Sequence, residues 1–227
     1  MHRTPPGWLE GFATLRRSGC VLLLCAAGCV SPREERLQEY TQDGVHLYQQ
    51  GAYADAQATF QAALTLKPDD ANLLYNAGQC CQRRGAAEQA RKYYVQCLER
   101  DQNHAPCRFA LAQLMVQTGR QRDAEVMIQE WLSREPTKAD PYALDGWYWH
   151  QAGDLPRAQG RLQQALNIDA HNSRALTELG LVYEGMRRED RAVVLYERVL
   201  ADNPQQKDVD KRLKGLLAKG AGKPQLE

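Results

Sequence analysis

The side chains most able to do chemistry in this sequence are its thiols and imidazoles. Cys97, His104 and Cys107 fall within a single short stretch. Two thiols and an imidazole are soft ligands for a metal, but a fourth ligand is missing and the interval fits no common zinc pattern, so no metal site is assigned. Cys80 and Cys81 are the other two cysteines after Cys29. His46, His104, His150 and His171 are spread along the chain, with no carboxylate placed to orient one of them towards a nucleophile. HExxH, GxSxG, GxGxxG and phosphate-loop patterns do not occur. Catalytic residues and cofactors are therefore not assigned, and the chain is expected not to be an enzyme. What remains is non-covalent chemistry, concentrated in aromatic and amide side chains. The stretch "GWYWHQAGDL" places Trp147, Tyr148 and Trp149 in succession. On a helix such rings fan out by about 100° each, so all three cannot share one core.

Elements must exist to aim these groups. The chain of 227 residues is long enough for one sizeable domain, and 43% of it is apolar. Good helix formers dominate, and the long alternating apolar runs of a sheet are absent. Formal net charge is +1, and removing residues 1–28 leaves 26 basic and 27 acidic side chains. A balanced chain has no electrostatic footprint for nucleic acid, so none is expected as a partner.

The beginning of the chain reads as an address. Arg16 and Arg17 precede the apolar run "CVLLLCAAG", which is too short to span a membrane. It ends in Ala26-Ala27-Gly28-Cys29, which resembles the lipobox of bacterial lipoproteins, although Ala26 stands where Leu is usual. The resemblance implies a signal peptide over 1–28 and lipidation of Cys29. With Val30 rather than Asp after the cysteine, it further implies an outer-membrane, periplasm-facing location. Residues 29–36 are expected to be the tether.

The rest of the chain repeats with a period of 34. Ala56, Ala90, Ala124, Ala158 and Ala192 form one column, and Leu64, Leu98, Leu132, Leu166 and Leu200 another. Gly44, Gly78, Ala112, Gly146 and Gly180 form a third. Gly51, Gly85, Gly119 and Gly153 form a fourth that breaks at Arg187. Pro68, Pro136 and Pro204 close three of the units. Small residues let two helices approach, glycine ends the first helix, and proline stops the second. These columns resemble the tetratricopeptide repeat (TPR). The resemblance implies an all-α right-handed superhelix of five helix-turn-helix units at 37–70, 71–104, 105–138, 139–172 and 173–206. A capping helix follows at 207–220, with Val209, Leu213, Leu216 and Leu217 on one stripe, and then a tail at 221–227. Asp43 and Asp145 stand where leucine is usual, Arg108 replaces a large apolar residue, and Trp131 fills an alanine-preferring column. "EGMRRED" implies a shifted turn in the fifth unit, so the third and fifth pairs are expected to pack less regularly.

This register sorts the aromatic residues. Trp149 falls in the large-residue column and is expected in the core. Tyr148 should lean on the preceding unit near Trp131 and Leu132, while Trp147 should face the concave groove. The expected peptide-binding groove is Tyr48, Tyr75, Asn76, Gln79, Phe109, Gln113, Trp147 and His150, an aromatic and amide trough for a protein or peptide partner. The lysines of a carboxylate-binding groove are missing from the first units. Cys97 and Cys107 come together where the second unit meets the third and could be bridged by a disulfide, while Cys81 reads as a buried apolar group. The expected function is a lipid-anchored interaction scaffold of the bacterial envelope. The chain also resembles type IV pilus biogenesis lipoproteins, which implies a role in assembling an outer-membrane secretin. An adaptor for periplasmic enzymes is the other reading.

Overall fold

A computed structural model of the chain describes residues 31–222. The expected signal peptide and Cys29 lie outside the described residues. Among the described residues, eleven α-helices follow one another with no strand between them: α1 Pro32–Gln49, α2 Tyr53–Leu66, α3 Ala71–Arg83, α4 Ala87–Arg100, α5 Ala105–Gln117, α6 Gln121–Arg134, α7 Ala139–Gln151, α8 Leu155–Ile168, α9 Ser173–Gly185, α10 Glu189–Asp202 and α11 Lys207–Ala218. Each of the five pairs from α1–α2 to α9–α10 is an antiparallel unit stacked on the next. Among the odd-numbered helices α1 also touches α3, α3 touches α5 and α7 touches α9, and α11 closes α10. The stack buries apolar side chains in three successive clusters rather than one central core.

Two glycine columns explain why the units copy one another. A Cβ on Gly78 would lie 2.5 Å from the ring of Tyr94, so only hydrogen fits where α3 crosses α4. At the turn inside each unit the backbone takes positive φ, between 76° and 82° at Gly51, Gly85, Gly119 and Gly153. The fifth unit does not shift this turn, contrary to expectation. Arg187 takes the same left-handed conformation at φ 59°, a conformation costly for a residue with a Cβ, so the geometry is kept and strain replaces glycine.

Four of the odd-numbered helices, α1, α3, α5 and α9, start on side-chain caps. Asp70, His104 and Asn172 accept from the backbone of the first turns of α3, α5 and α9. Ser31 caps α1 in a full capping box, its Oγ accepting from Glu34 N–H at 3.2 Å while Glu34 Oε2 accepts from Ser31 N–H at 2.9 Å. This corrects the expected tether, since residues 32–36 belong to α1. The sequence "SPRE" carries the signal that the reading passed over: Ser at the cap, Pro at the first position and Glu at the third.

The atypical residues of the third and fourth units pack in pairs. Asp145 is fully buried on α7, and Arg161 Nε of α8 meets its Oδ2 at 2.8 Å. Arg108 is buried, donates Nε to the Gln102 carbonyl at 3.0 Å and lies 5.0 Å over the ring of Trp131. The third pair nonetheless packs less closely than its neighbours, as expected, and Ala112 stands where the other four units hold glycine. Leu217 departs from the expected stripe of α11. It is exposed, while Val209 and Leu216 are buried.

Candidate functional site

The three rings of "WYW" are placed differently from expectation. Trp147 is 6% exposed and belongs to the largest apolar cluster, so it is not a free groove ring. The reason is the inner seam of the stack: α7 packs directly on α9, and a residue on the inner face of α7 lies between them. Trp149, expected in the core, is half-buried instead. Arg157 stacks 4.0 Å over its ring and Tyr148 meets its edge with centroids 5.3 Å apart. Its indole N–H lies against Asp145. Burial pushes the Asp145 carboxyl above its ordinary value, with Arg161 and then the Trp149 N–H pulling the other way.

Phe109 is also withdrawn from the groove. It is buried, edge-on to Trp131 with centroids 6.4 Å apart. His150 is half-buried and turned to Glu178, with Nδ1 3.4 Å from Oε2. The other five expected residues do come together. Tyr48, Tyr75, Asn76 and Gln79 line a cleft of about 290 Å³, joined by Val45, Gln49 and Phe60. Tyr48 and Gln79 also line an adjoining cleft of about 350 Å³ with Gln82, Arg83, Gln113 and Gln117. The two clefts share a wall, so they form one trough across α1, α3 and α5. Its polar lining is amides, two phenols and a single cation, Arg83. The Tyr48 hydroxyl reaches Gln79 Oε1 only at 3.4 Å, a long bond that leaves both groups open to a better partner. Burial raises the pKa of Tyr48 and of Tyr75, so both stay neutral donors.

Sequence reasoning missed Gln82, Arg83 and Gln117 on the trough. All three lie in the last turn of α3 or α5, beyond where the aromatic columns drew attention.

Cys97, His104 and Cys107 do converge. Their ligand atoms lie within 4.8 Å of one another and all three residues are buried. The arrangement suits capping better than ligation. His104 Nδ1 accepts from Cys107 N–H at 3.1 Å, which leaves its Nε2–H to face Asn72 Oδ1 at 3.1 Å, so both ring nitrogens are spent. The expected disulfide is not formed. Cys97 and Cys107 are free thiols, and Cys107 donates to the Tyr94 carbonyl at 3.2 Å. A hydrogen bond with Cys97 and then burial push the Cys107 thiol far up, away from thiolate reactivity. Cys80 and Cys81 are buried free thiols as well, Cys81 as expected.

Comparison with known proteins places this geometry. A family model described as the middle TPR-like domain of cilia and flagella-associated protein 70 matches residues 38–150, and a tetratricopeptide repeat model matches residues 150–220. Tetratricopeptide repeat protein 7B of Homo sapiens is 30% identical over 110 residues, covering 48% of this chain and 12% of that protein. Outer dynein arm-docking complex subunit 4 of Danio rerio is 43% identical over 51 residues, 22% of this chain and 10% of that protein. The chain therefore spans only about a tenth of the curated relatives it matches. A thermophilic TPR protein of Thermus thermophilus superposes with a TM-score of 0.64 at 22% identity, over 80% of this chain and 99% of that one. The pilF protein of Pseudomonas aeruginosa superposes with a TM-score of 0.55 at 16% identity, over 84% and 89%. At these identities the structural likenesses speak to fold alone. The columns, the helix pairs and the two family models, which together run from residue 38 to 220, agree: the chain belongs to the tetratricopeptide repeat family.

Proposed function

We propose that this chain is a non-enzymatic scaffold that holds an extended segment of a partner protein in the trough across α1, α3 and α5, at the periplasmic face of a bacterial outer membrane, anchored by lipid on Cys29. The tetratricopeptide fold is suited to protein–protein interaction. The observation that carries the reading is the pair of clefts that meet at Tyr48 and Gln79. Their amides can donate to and accept from a peptide backbone without demanding charge, and the phenols add contact area at little entropic cost. The anchor rests on the Ala-Ala-Gly-Cys break after a short apolar run. Because α1 starts at Pro32, only Val30 and Ser31 separate Cys29 from the first helix. That is about 7 Å of extended chain, so the solenoid would stand on the membrane rather than sway above it.

A photo-reactive residue at Gln79 should cross-link to partner chains in cells, and one at Gln61 should not. Gln61 lines a cleft of similar size, about 360 Å³, on the outer α2–α4 face. Adducts from Gln61 in place of Gln79 would move the site to that face. Cys29→Ser should release the folded protein from the membrane fraction and abolish acyl labelling. A wild-type chain that is soluble and unlabelled would remove the anchor from the proposal. A role in assembling a pilus secretin is the narrower form of this reading. It calls for secretin among the Gln79 adducts, whereas an adaptor role calls for periplasmic enzymes there.

A further inference from the structure

Arg174 opens α9, in the column that holds Gln38, Asn72, Pro106 and Asp140 in the other units. Its side chain does not stay in the fifth unit. The guanidinium carbon lies over the ring of Phe109 of the third unit, 3.9 Å from its centroid. Sequence explains how it gets there. The column Tyr75, Phe109, Ala143, Thr177 has its smallest member, Ala143, on the unit Arg174 must cross, and a larger side chain would block the path.

A contact with a ring face holds the cation without supplying a conventional acceptor for its five N–H donors. Arg174 makes no hydrogen bond and no ion pair to any described residue. The nearby carboxylates are turned to other groups. Asp140 Oδ1 accepts from Asn172 Nδ2 at 2.9 Å, and Glu178 faces His150. Surrounding protein lowers the guanidinium's pKa by desolvation, with Tyr75, Glu178 and Asp140 pulling the other way, while the residue as a whole remains exposed to solvent. To one side of Arg174 is a cleft of about 470 Å³ that it lines with Asp140, Asn172, Ser173, Thr177, Glu178 and Gln206. To the other is Tyr75, within electrostatic range and itself a wall of the Tyr48–Gln79 trough.

We propose that Arg174 anchors an acidic side chain in the middle of the segment that occupies the groove. This rests on the trough being a peptide site. A pre-positioned guanidinium with free donors matches a carboxylate in a bidentate fork better than any other peptide group. The stack on Phe109 holds it in place, so little side-chain entropy is lost when the carboxylate arrives. Arg174 lines the far cleft, and Tyr75, within its electrostatic range, walls the near trough, so the peptide would continue past it in both directions, as an internal Asp or Glu does and a C-terminal carboxylate does not. Asp140 and Glu178 in the far cleft repel a second acidic group. The segment is thus expected to carry one acidic residue among uncharged polar neighbours, and not an acidic run.

The test is selection of a random library of C-terminally amidated dodecapeptides on the full chain and on its Arg174→Gln variant. Amidation removes the terminal carboxylate as a ligand. Peptides selected on the wild type should share one acidic position, and that preference should vanish from peptides selected on Arg174→Gln. For the best peptide, Glu→Gln at that position should weaken binding about tenfold to the wild type and leave binding to Arg174→Gln unchanged. Arg174→Gln should melt only slightly below the wild type, since it loses the contact over Phe109 but no hydrogen bond of the fold, and binding is compared well below both midpoints. Selected peptides that depend on Tyr48 and Gln79 but share no acidic position would overturn the role of Arg174 and leave the trough standing. Failure to select any peptide sensitive to Tyr48→Ala or Gln79→Ala would overturn both.

Discussion

The buried pair Asp145–Arg161 offers the sharpest test of how this solenoid tolerates departures from its own repeat. In the other units the column of Asp145 holds Asp43, Ala77, Leu111 and Leu179, and that of Arg161 holds Thr59, Tyr93, Met127 and Leu195. Asp145 has no exposure, while the Arg161 side chain keeps 36% of its surface in water. Removing the two partners should therefore have unequal effects. Arg161→Met leaves a buried carboxylate without its cation, which costs about 3 kcal/mol at neutral pH, the low end for a broken buried pair because water reaches one side. For a stack of this size that is a fall of about 6–12 °C in Tm. Asp145→Leu removes the buried charge and frees Arg161 to swing into solvent, so it should stay within about 1 kcal/mol of wild type. The double variant restores the apolar columns and should melt at or above wild type. The pH dependence has a defined sign. The folded pKa of Asp145 lies above its ordinary 3.8. Its contribution to stability is therefore fully present below that value and is lost as pH rises through the folded pKa. In Arg161→Met the folded pKa rises further, so the deficit against wild type should shrink between about pH 7 and pH 4.5. Thermal melts followed by circular dichroism at both pH values are sufficient. Additive single effects, or a deficit indifferent to pH, would refute the account of a coupled buried charge pair.

Trp147→Ala should lower stability by about 3–5 kcal/mol and broaden the loss of helical signal, because the ring fills the inner seam at α7; an unchanged melt with weaker partner binding would return Trp147 to the groove. Arg187→Gly should raise stability by about 1 kcal/mol, since it relieves a left-handed residue with a Cβ at the α9–α10 turn, and the same melting assay reads it. A loss of stability there would mean that the Arg187 side chain holds the turn through its own contacts.

The fold was legible because its determinants recur. A residue type at one position predicts little, but Ala56 through Ala192 in one register leave a single period possible, and every second helix of a unit begins where that period puts it. Functional placement was less legible for a physical reason. A 34-residue column gives the direction of a side chain relative to its own helix, whereas burial on the inner face depends on the size of residues one and two units away. Trp147 and Gln113 share a column; the indole is buried in the seam and the shorter amide remains in the trough. Phe109 was read as a groove ring from its position, but Trp131 and Arg174 take its edge and its face. The Ser31 capping box was fully written in the sequence and was hidden only by the assumption that the repeat starts at residue 37.

Departures from the repeat divide into two kinds, and the division bears on function. Some are closed by a second change nearby. Asp145 is answered by Arg161, and Arg108 by the ring of Trp131. The same logic runs through the polar tips of the cores. Where the large residue of an even-numbered helix is tyrosine, at Tyr94 and Tyr196, its hydroxyl donates to Gln82 or Glu184 twelve residues earlier. Where it is Phe60, Ile128 or Leu162, that earlier position needs no acceptor and carries Tyr48, Val116 or His150 instead. Tyr48 is thereby released from its own unit to line the trough, and His150 to meet Glu178 of the next unit. Other departures are not closed. Arg174 reaches across the fourth unit and arrives with its donors unused, and Tyr48 and Gln79 meet only at 3.4 Å. Stability selects the first kind, because an unanswered polar change in the core is costly. It gives no reason for the second kind, in which polar capacity is brought to the inner face and left open. The open set lies along one surface, from Tyr48 through Gln79 and Tyr75 to Arg174, and that continuity is why the concave face, rather than the equally roomy outer cleft at Gln61 and Tyr93, is the binding surface we propose for this protein.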